Sequence, residues 1–372
     1  MIKAIKNTIL FFALLLVFCA GSIYPHPAWG IVVDRQKQVY FSDLETVWKI
    51  DRQGNLSIFR EGESGRHVHD LTIDAEDNIY GVDNSFNPQT QKFPRSIWKM
   101  TSSGEFSYLI SPTEDLPSGE SIWRDSDGNT YSVEPYNNEN KETKIIKKSP
   151  DDKTSLLTGG KYGYLDGQKD KAEFTVITDM AFGRDNTIYV TNDDKIRKID
   201  KSGTVTTIFR EESPNKNQES PEPFSRLFGL TADERNNLYA ADFYNNRLLK
   251  ISADGKVSPV LNSEKDWSPI GVTAADDEIY VLEARPYSSA THTGSRVVKI
   301  ASDGKPMVIA TMEEAVKPKD SPNKNDDSSL LQTDNTSSGS EPSLQNNWLI
   351  LLGVIGAVGA AFAAFIILVK RK

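Results

Sequence analysis

Cysteine is almost missing from the chain: Cys19 is the only one among 372 residues. That excludes an intramolecular disulfide, a Cys-based zinc centre and, beyond the first twenty residues, thiol catalysis. Histidine is scarce too, with four copies, so an imidazole site has few positions to draw on. Positive charge is also in deficit. Lys and Arg number 43 against 52 Asp and Glu, for a net charge of −9. Five of the basic residues (Lys3, Lys6, Lys370, Arg371 and Lys372) sit at the two ends, so what lies between is more acidic still. A phosphate backbone is a poor partner for such a surface, and nucleic acid binding is excluded. What is present, 38% apolar and 26% charged residues, is the composition of a globular protein with hydrophilic additions.

The ends read as membrane-targeting segments. Residues 1–20 begin with Lys3 and Lys6 and continue with an apolar run from Ile9 to Ala20. This is the pattern of a secretory signal peptide, with an uncleaved anchor as the alternative. Phe18, directly before Cys19, argues against lipidation. Residues 347–369 read as a transmembrane helix, because 348–369 are uninterruptedly apolar and span about 33 Å at the helical rise. Residues 370–372 form a basic cytoplasmic tail, and 312–346, rich in Ser, Asn, Asp, Lys and Pro, a flexible polar stalk. The expected topology is a single-pass type I protein of the cell membrane with its bulk outside the cytoplasm, held to the membrane by the C-terminal helix.

Between these ends one pattern recurs six times. An apolar strand ends in Asp, turns, and resumes as an apolar strand containing Tyr40, Tyr80, Tyr131, Tyr189, Tyr239 or Tyr280. Asp34, Asp74, Asp125 and Asp233 each lie six residues before their tyrosine, and Gly183 holds that place in the fourth copy. A third segment, apolar-apolar-Lys, ends at Lys49, Lys99, Lys147, Lys198, Lys250 or Lys299, with Arg197 its one polar exception. A turn follows, carrying Gly54, Gly104, Asp152, Gly203, Gly255 or Gly304, and a fourth apolar segment closes the unit. Four short strands per unit at tyrosine spacings of 40 to 58 residues indicate propeller blades, none of which can bury both sheet faces alone. The expected fold is all-β, a six-bladed β-propeller of four-stranded blades over residues 29–311, plus the C-terminal transmembrane helix. The copies begin and end in phase, so no strand suggests itself as the clasp of the ring.

The fourth copy carries a resemblance. Gly163-Tyr164-Leu165-Asp166-Gly167, then Ala172 and Phe174, then Met180-Ala181-Phe182 and Ile188-Tyr189-Val190-Thr191-Asn192, resembles an NHL repeat. The fifth copy, with Leu238-Tyr239-Ala240-Ala241-Asp242, is similar. The resemblance implies a propeller related to the gluconolactonase and strictosidine-synthase-like superfamily, whose members include hydrolases, lyases and non-enzymatic binding modules. In gluconolactonase-like relatives a metal is held just before the innermost strands. The matching positions here are Trp29, His69, Glu120, Thr178, Phe228 and Ile270, of which His69 and Glu120 are candidate ligands for Ca²⁺ or Zn²⁺. A catalytic metal generally takes three or more protein ligands, so the pattern departs from that of the lactonases.

Further candidates come from the residues themselves. His67 and His69 share a strand face and form a ligand pair that Glu120 or Asp83 would complete; the alternative leaves His69 hydrogen-bonded in the channel. Asp43, Asp83, Glu134, Asn192, Asp242 and Glu283 follow the tyrosine strands and are expected to accept backbone hydrogen bonds at a turn. The lysines are expected to form a solvated outer stripe. Copies two, three and six carry insertions between second and third strands, containing Phe86, Phe93, Tyr136, Arg285, Tyr287 and His292. These loops are expected to gather over the channel and confer specificity. The leading functional reading is a binding module for an extracytoplasmic protein, glycan or small molecule. The alternative is a metal-dependent lactonase or lyase using His69 and Glu120.

Overall fold

In a computed structural model, the residues described are 28–90, 92–114, 116, 121–136, 141–210, 227–285 and 294–312. The segments read as signal peptide, transmembrane helix and basic tail lie outside them, as does the stalk after Met312. Among the described residues no helix is long and apolar enough to cross a membrane.

Six antiparallel sheets follow one another along the chain, each built from consecutive strands. Blade 1 comprises Ile31–Val33, Val39–Ser42, Val47–Ile50 and Leu56–Arg60; blade 2, Arg66–Ile73, Ile79–Ser85, Arg95–Met100 and Phe106–Thr113. Blade 3 comprises Trp123–Arg124, Thr130–Glu134, Glu142–Lys148 and Thr154–Lys161; blade 4, Ile177–Phe182, Ile188–Asn192, Lys195–Ile199 and Thr204–Arg210. Blade 5 comprises Leu227–Ala232, Leu238–Asp242, Arg247–Ile251 and Val257–Asn262; blade 6, Ser268–Ala275, Glu278–Ala284, Ser295–Ile300 and Pro306–Thr311. Blade 4 gains a short fifth strand, Gly167–Gln168, paired outside its last strand.

The recurrent residues explain themselves locally. Asp34 accepts hydrogen bonds from the Gln36 and Gln38 amides at 2.9 and 2.8 Å, bracing the turn between first and second strands. Its other oxygen accepts from the Tyr40 hydroxyl at 3.2 Å. The same bond recurs from Tyr80 to Asp74, Tyr131 to Asp125 and Tyr239 to Asp233, and in blade 6 Glu278 takes over at 2.8 Å. The lysine opposite each of these tyrosines does not simply extend into solvent. Lys49, Lys99, Lys147, Lys250 and Lys299 each hold their ammonium 5.4 to 5.7 Å from the tyrosine ring centroid, where the ring's negative face attracts it.

Among the described residues the ring closes without an exchanged strand. Trp29, Ile31, Phe41 and Trp48 of blade 1 share one buried cluster with Ile270, Tyr280, Leu282, Val297 and Met312 at the blade 6 end, and the Lys37 ammonium reaches the Ala275 carbonyl at 3.1 Å. Among the described residues, hydrophobic packing with a few hydrogen bonds joins the two ends.

Candidate ligand-binding site

The innermost strands of blades 2, 4, 5 and 6 each carry a β-bulge near their start, and the bulge turns one residue towards the channel mouth. There Trp29, His69, Thr178, Phe228 and Ile270 are all buried. The Trp29 ring stacks on His69 with centroids 5.6 Å apart and leans on Phe228 at 6.2 Å. The Trp29 amide donates to the His69 carbonyl at 2.8 Å, and the Thr178 hydroxyl to the Leu227 carbonyl at 2.9 Å. These positions form an aromatic lid stitched from blade to blade. His67 and His69 do lie side by side, with ring centroids 5.8 Å apart in edge-to-face geometry, and His69 is only 2% exposed. Glu120 and Tyr287 lie outside the described residues, as does His292. Among the described residues no three His, Cys, Asp or Glu side chains converge to hold a metal ion.

Asp83 does not join the histidines. Its register partner is Val68, whereas His67 faces Asn84, so the carboxylate projects to the opposite side of the sheet from His67. There it accepts from the Trp98 indole at 2.9 Å and from Arg60 of blade 1 at 2.7 Å, which spends it as an inter-blade pin. Its counterparts pair with the third strand of their own blade, contrary to the expected turn role. Asp242 holds Arg247 at 2.8 Å and Glu283 holds Arg296 at 2.5 Å. Asn192 accepts from Arg197 at 3.1 Å. Asp43 combines a backbone bond (Thr46 amide, 2.9 Å) with a side-chain bond (Trp48 indole, 2.9 Å), and the Asn192 amide also donates to the Val176 carbonyl at 3.0 Å. A carboxylate buried this deeply needs a charged or strong donor, and the third strand supplies it.

Two of the insertion loops make aromatic pairs. Phe86 and Phe93, both exposed, meet at a tilt within their own loop, centroids 5.1 Å apart. Thr90 and Lys92 of that loop are tied to Glu114, beyond the last strand of the same blade, at 2.5 and 3.2 Å. Tyr136 of blade 3 meets Tyr162, on the way into blade 4, at 4.9 Å. Close by, the Tyr164 hydroxyl donates to Asp193 at 2.8 Å, and Lys195 sets its ammonium 3.9 Å from the Tyr164 ring centroid while pairing with Asp194. Burial, with the Asp193 hydrogen bond, pushes the Tyr164 hydroxyl up to about 12. Burial, with the Asp193 charge, raises that of Tyr162. Tyr136, Tyr162 and Tyr164 nevertheless remain 43%, 49% and 48% exposed. The patch thus offers three tyrosine rings and two carboxylates, with the buried Lys195 holding Tyr164 and Asp194 in place from beneath.

Arg197 explains why that loop is in place. This fully buried residue, the polar exception in the third strands, donates to the Leu165 and Glu173 carbonyls at 2.9 and 3.2 Å and pairs with Asp166 at 2.8 Å. The Gly163–Gly167 run is therefore strapped to blade 4. Sequence reasoning had Tyr136 but missed Tyr162, Tyr164 and Asp193, because the run was legible only as a repeat motif.

Below the lid, the channel holds two buried carboxylates that sequence reasoning also missed, Asp70 and Asp179. Burial pushes the Asp70 carboxyl up to about 7, eased by Ser121, the Leu71 amide and the Trp29 indole. Asp179 is held well above the carboxylate range by burial and then by the nearby charge of Asp70.

The chain matches no protein-family model and no curated protein. Its fold has many counterparts among solved structures. A luciferin-regenerating enzyme is similar at TM-score 0.50 and 15% identity, over 74% of this chain and 91% of that one. Virginiamycin B lyase from Staphylococcus aureus gives 0.46 and 17%, covering 76% and 83%. A gluconolactonase from Xanthomonas campestris gives 0.47 and 14%, covering 69% and 84%. At such identities the likeness defines a class by fold alone, the six-bladed β-propellers.

Proposed function

We propose that the protein is a membrane-anchored, extracytoplasmic propeller that binds a glycan through the Tyr136–Tyr162–Tyr164 patch. One observation carries this reading: three tyrosine rings from two neighbouring blades lie together and half exposed, beside Asp193, Asp194 and Lys195. Tyrosine gives a large, stiff contact area at small entropic cost, and the apolar face of a sugar ring stacks on it. The adjacent Asp193 and Asp194 carboxylates are suited to hydroxyl groups. The anchor of this proposal is the apolar segment 347–369, and the NHL-like character of blades 4 and 5 belongs to the same reading, since non-enzymatic members of that family use propeller faces for binding. A glycan array probed with the full chain and with a Tyr136→Ala/Tyr162→Ala variant tests it. Capture should be lost in the variant, while the melting temperature stays nearly unchanged. Undiminished capture by the variant, or no glycan bound by either, would refute the reading.

The alternative of a metal-dependent lactonase or lyase at His69 and Glu120, using Ca²⁺ or Zn²⁺, has one observation in its favour, the His67–His69 pair at the channel mouth. It requires a stoichiometric metal that is lost on His69→Ala.

A further inference from the structure

One residue past the lid, the innermost strands come closest together. Blades 1, 5 and 6 carry Gly30, Gly229 and Gly271 there, and sterics explain them. A Cβ on Gly229 would lie 2.7 Å from the Gly271 Cα, and one on Gly30 would lie 2.7 Å from the Leu71 nitrogen. The three consecutive blades between them carry Asp70, Ser121 and Asp179 at the same position. Packing does not explain two carboxylates that are each 8% exposed.

Asp179 has donors. Its Oδ1 accepts from the Trp123 indole at 2.9 Å and the Met180 amide at 2.7 Å, and its Oδ2 from the Leu230 amide at 2.6 Å. Asp70 is served on one side only. Its Oδ1 accepts from the Leu71 amide at 2.8 Å; its Oδ2 and the Ser121 Oγ are buried and close no well-formed hydrogen bond, although Ser121 and the Trp29 indole lie near enough to ease the carboxyl's charge. A buried oxygen left in that state is costly unless something outside the chain satisfies it. Asp70 and Asp179, with Thr72, Thr231 and Thr273, line a cavity of about 130 Å³ in the channel. That is room for an ion and a few waters, at about 30 Å³ each.

We propose that the channel binds one divalent cation of calcium-like chemistry between Asp70, Ser121 and Asp179. Two carboxylates balance its charge, the serine hydroxyl adds a neutral oxygen, and water in the cavity completes the shell. All the donors are oxygen, which suits Ca²⁺ and its tolerance of irregular coordination rather than zinc. Arg124 also lines the cavity, but its guanidinium is drawn onto the Tyr80 ring, 4.1 Å from the centroid. The site is independent of the tyrosine patch and one residue further along the strand than His69. An ion here would tie blades 2, 3 and 4 together at the axis.

Trp123 touches Asp179, so terbium serves as the probe. The full chain in detergent, stripped with chelator, should show Tb³⁺ emission sensitised by indole excitation, saturating at one ion per chain and displaced by Ca²⁺. Calcium should also raise the melting temperature. Asp70→Asn should weaken terbium binding by tenfold or more, equivalent to about 1.4 kcal/mol. Ser121→Ala, a smaller change that keeps the fold accessible if Asp70→Asn does not, should weaken it measurably. Emission that persists unchanged in both variants would mark adsorption elsewhere on an acidic surface and overturn the proposal. So would the absence of emission and thermal shift in the unaltered chain.

Discussion

Single side chains in this propeller do their work at blade junctions or at turns, and the two kinds should respond differently to substitution. Tyr131 sits at a turn, its hydroxyl on Asp125 at 2.8 Å. Tyr131→Phe removes one hydrogen bond to a charged group and should cost about 1.5 kcal/mol in denaturant unfolding. Arg60 sits at a junction. Arg60→Ala leaves the buried Asp83 with only the more distant Arg66, 3.9 Å away, as a cationic partner, and should cost more, about 3 kcal/mol. A double-mutant cycle with Asp83→Asn should recover much of that loss; additive costs would show that the pin contributes nothing as a pair. Arg197→Leu should release residues 163–174 selectively, seen as faster amide exchange there with the other blades unchanged.

At the scale of strands and turns, acid should act through the turn aspartates. Asp74 is held below its ordinary value of 3.8, because hydrogen bonds from Asn78 and Tyr80 and the turn amides outweigh its burial. Asp51, Asp185, Asp200, Asp254 and Asp303 are likewise lowered by local hydrogen bonds. A carboxylate depressed in the folded state adds stability that is present above its unfolded pKa and lost as pH falls through its folded one. Denaturant midpoints should therefore drop on acidification below about pH 4, and Asp74→Asn should flatten part of that slope. A midpoint that stays level through this range would contradict the assignment.

The turns and strands were legible because each blade repeats them: the Asp–Tyr spacing is a local hydrogen bond and the lysine a local register partner. The tyrosine patch was not, since Tyr136 and Tyr162 meet only where one blade's loop leans on the approach to the next, which no local pattern encodes. Asp70 and Asp179 were hidden differently. Each reads as the polar start of an apolar strand, and only a comparison of all six copies at that position, three glycines against Asp, Ser and Asp, sets them apart. Asp83 misled because simple alternation, with Val68 rather than His67 opposite it, puts it across the sheet from His67.

For the molecule as a whole, each blade covers its neighbour, so no blade is self-sufficient. Deleting residues 227–262 (blade 5) should abolish cooperative unfolding, and a five-blade chain with a sharp native-like transition would count against obligatory six-fold closure. The proposed topology makes a separate claim: protease added to intact cells of a single-membrane host should cut within 312–346 and release the propeller.

Because every blade is completed by its own four consecutive strands, the boundary between blades 6 and 1 is chemically no different in kind from the other five. Trp29 and Met312 already share one buried cluster there, so a short peptide could join the two ends. The order of the blades in the gene then becomes arbitrary. Circular permutants opened before blade 2, 3 or 5 should fold to the same ring with similar melting temperatures, a freedom that a propeller clasped by an exchanged strand does not have.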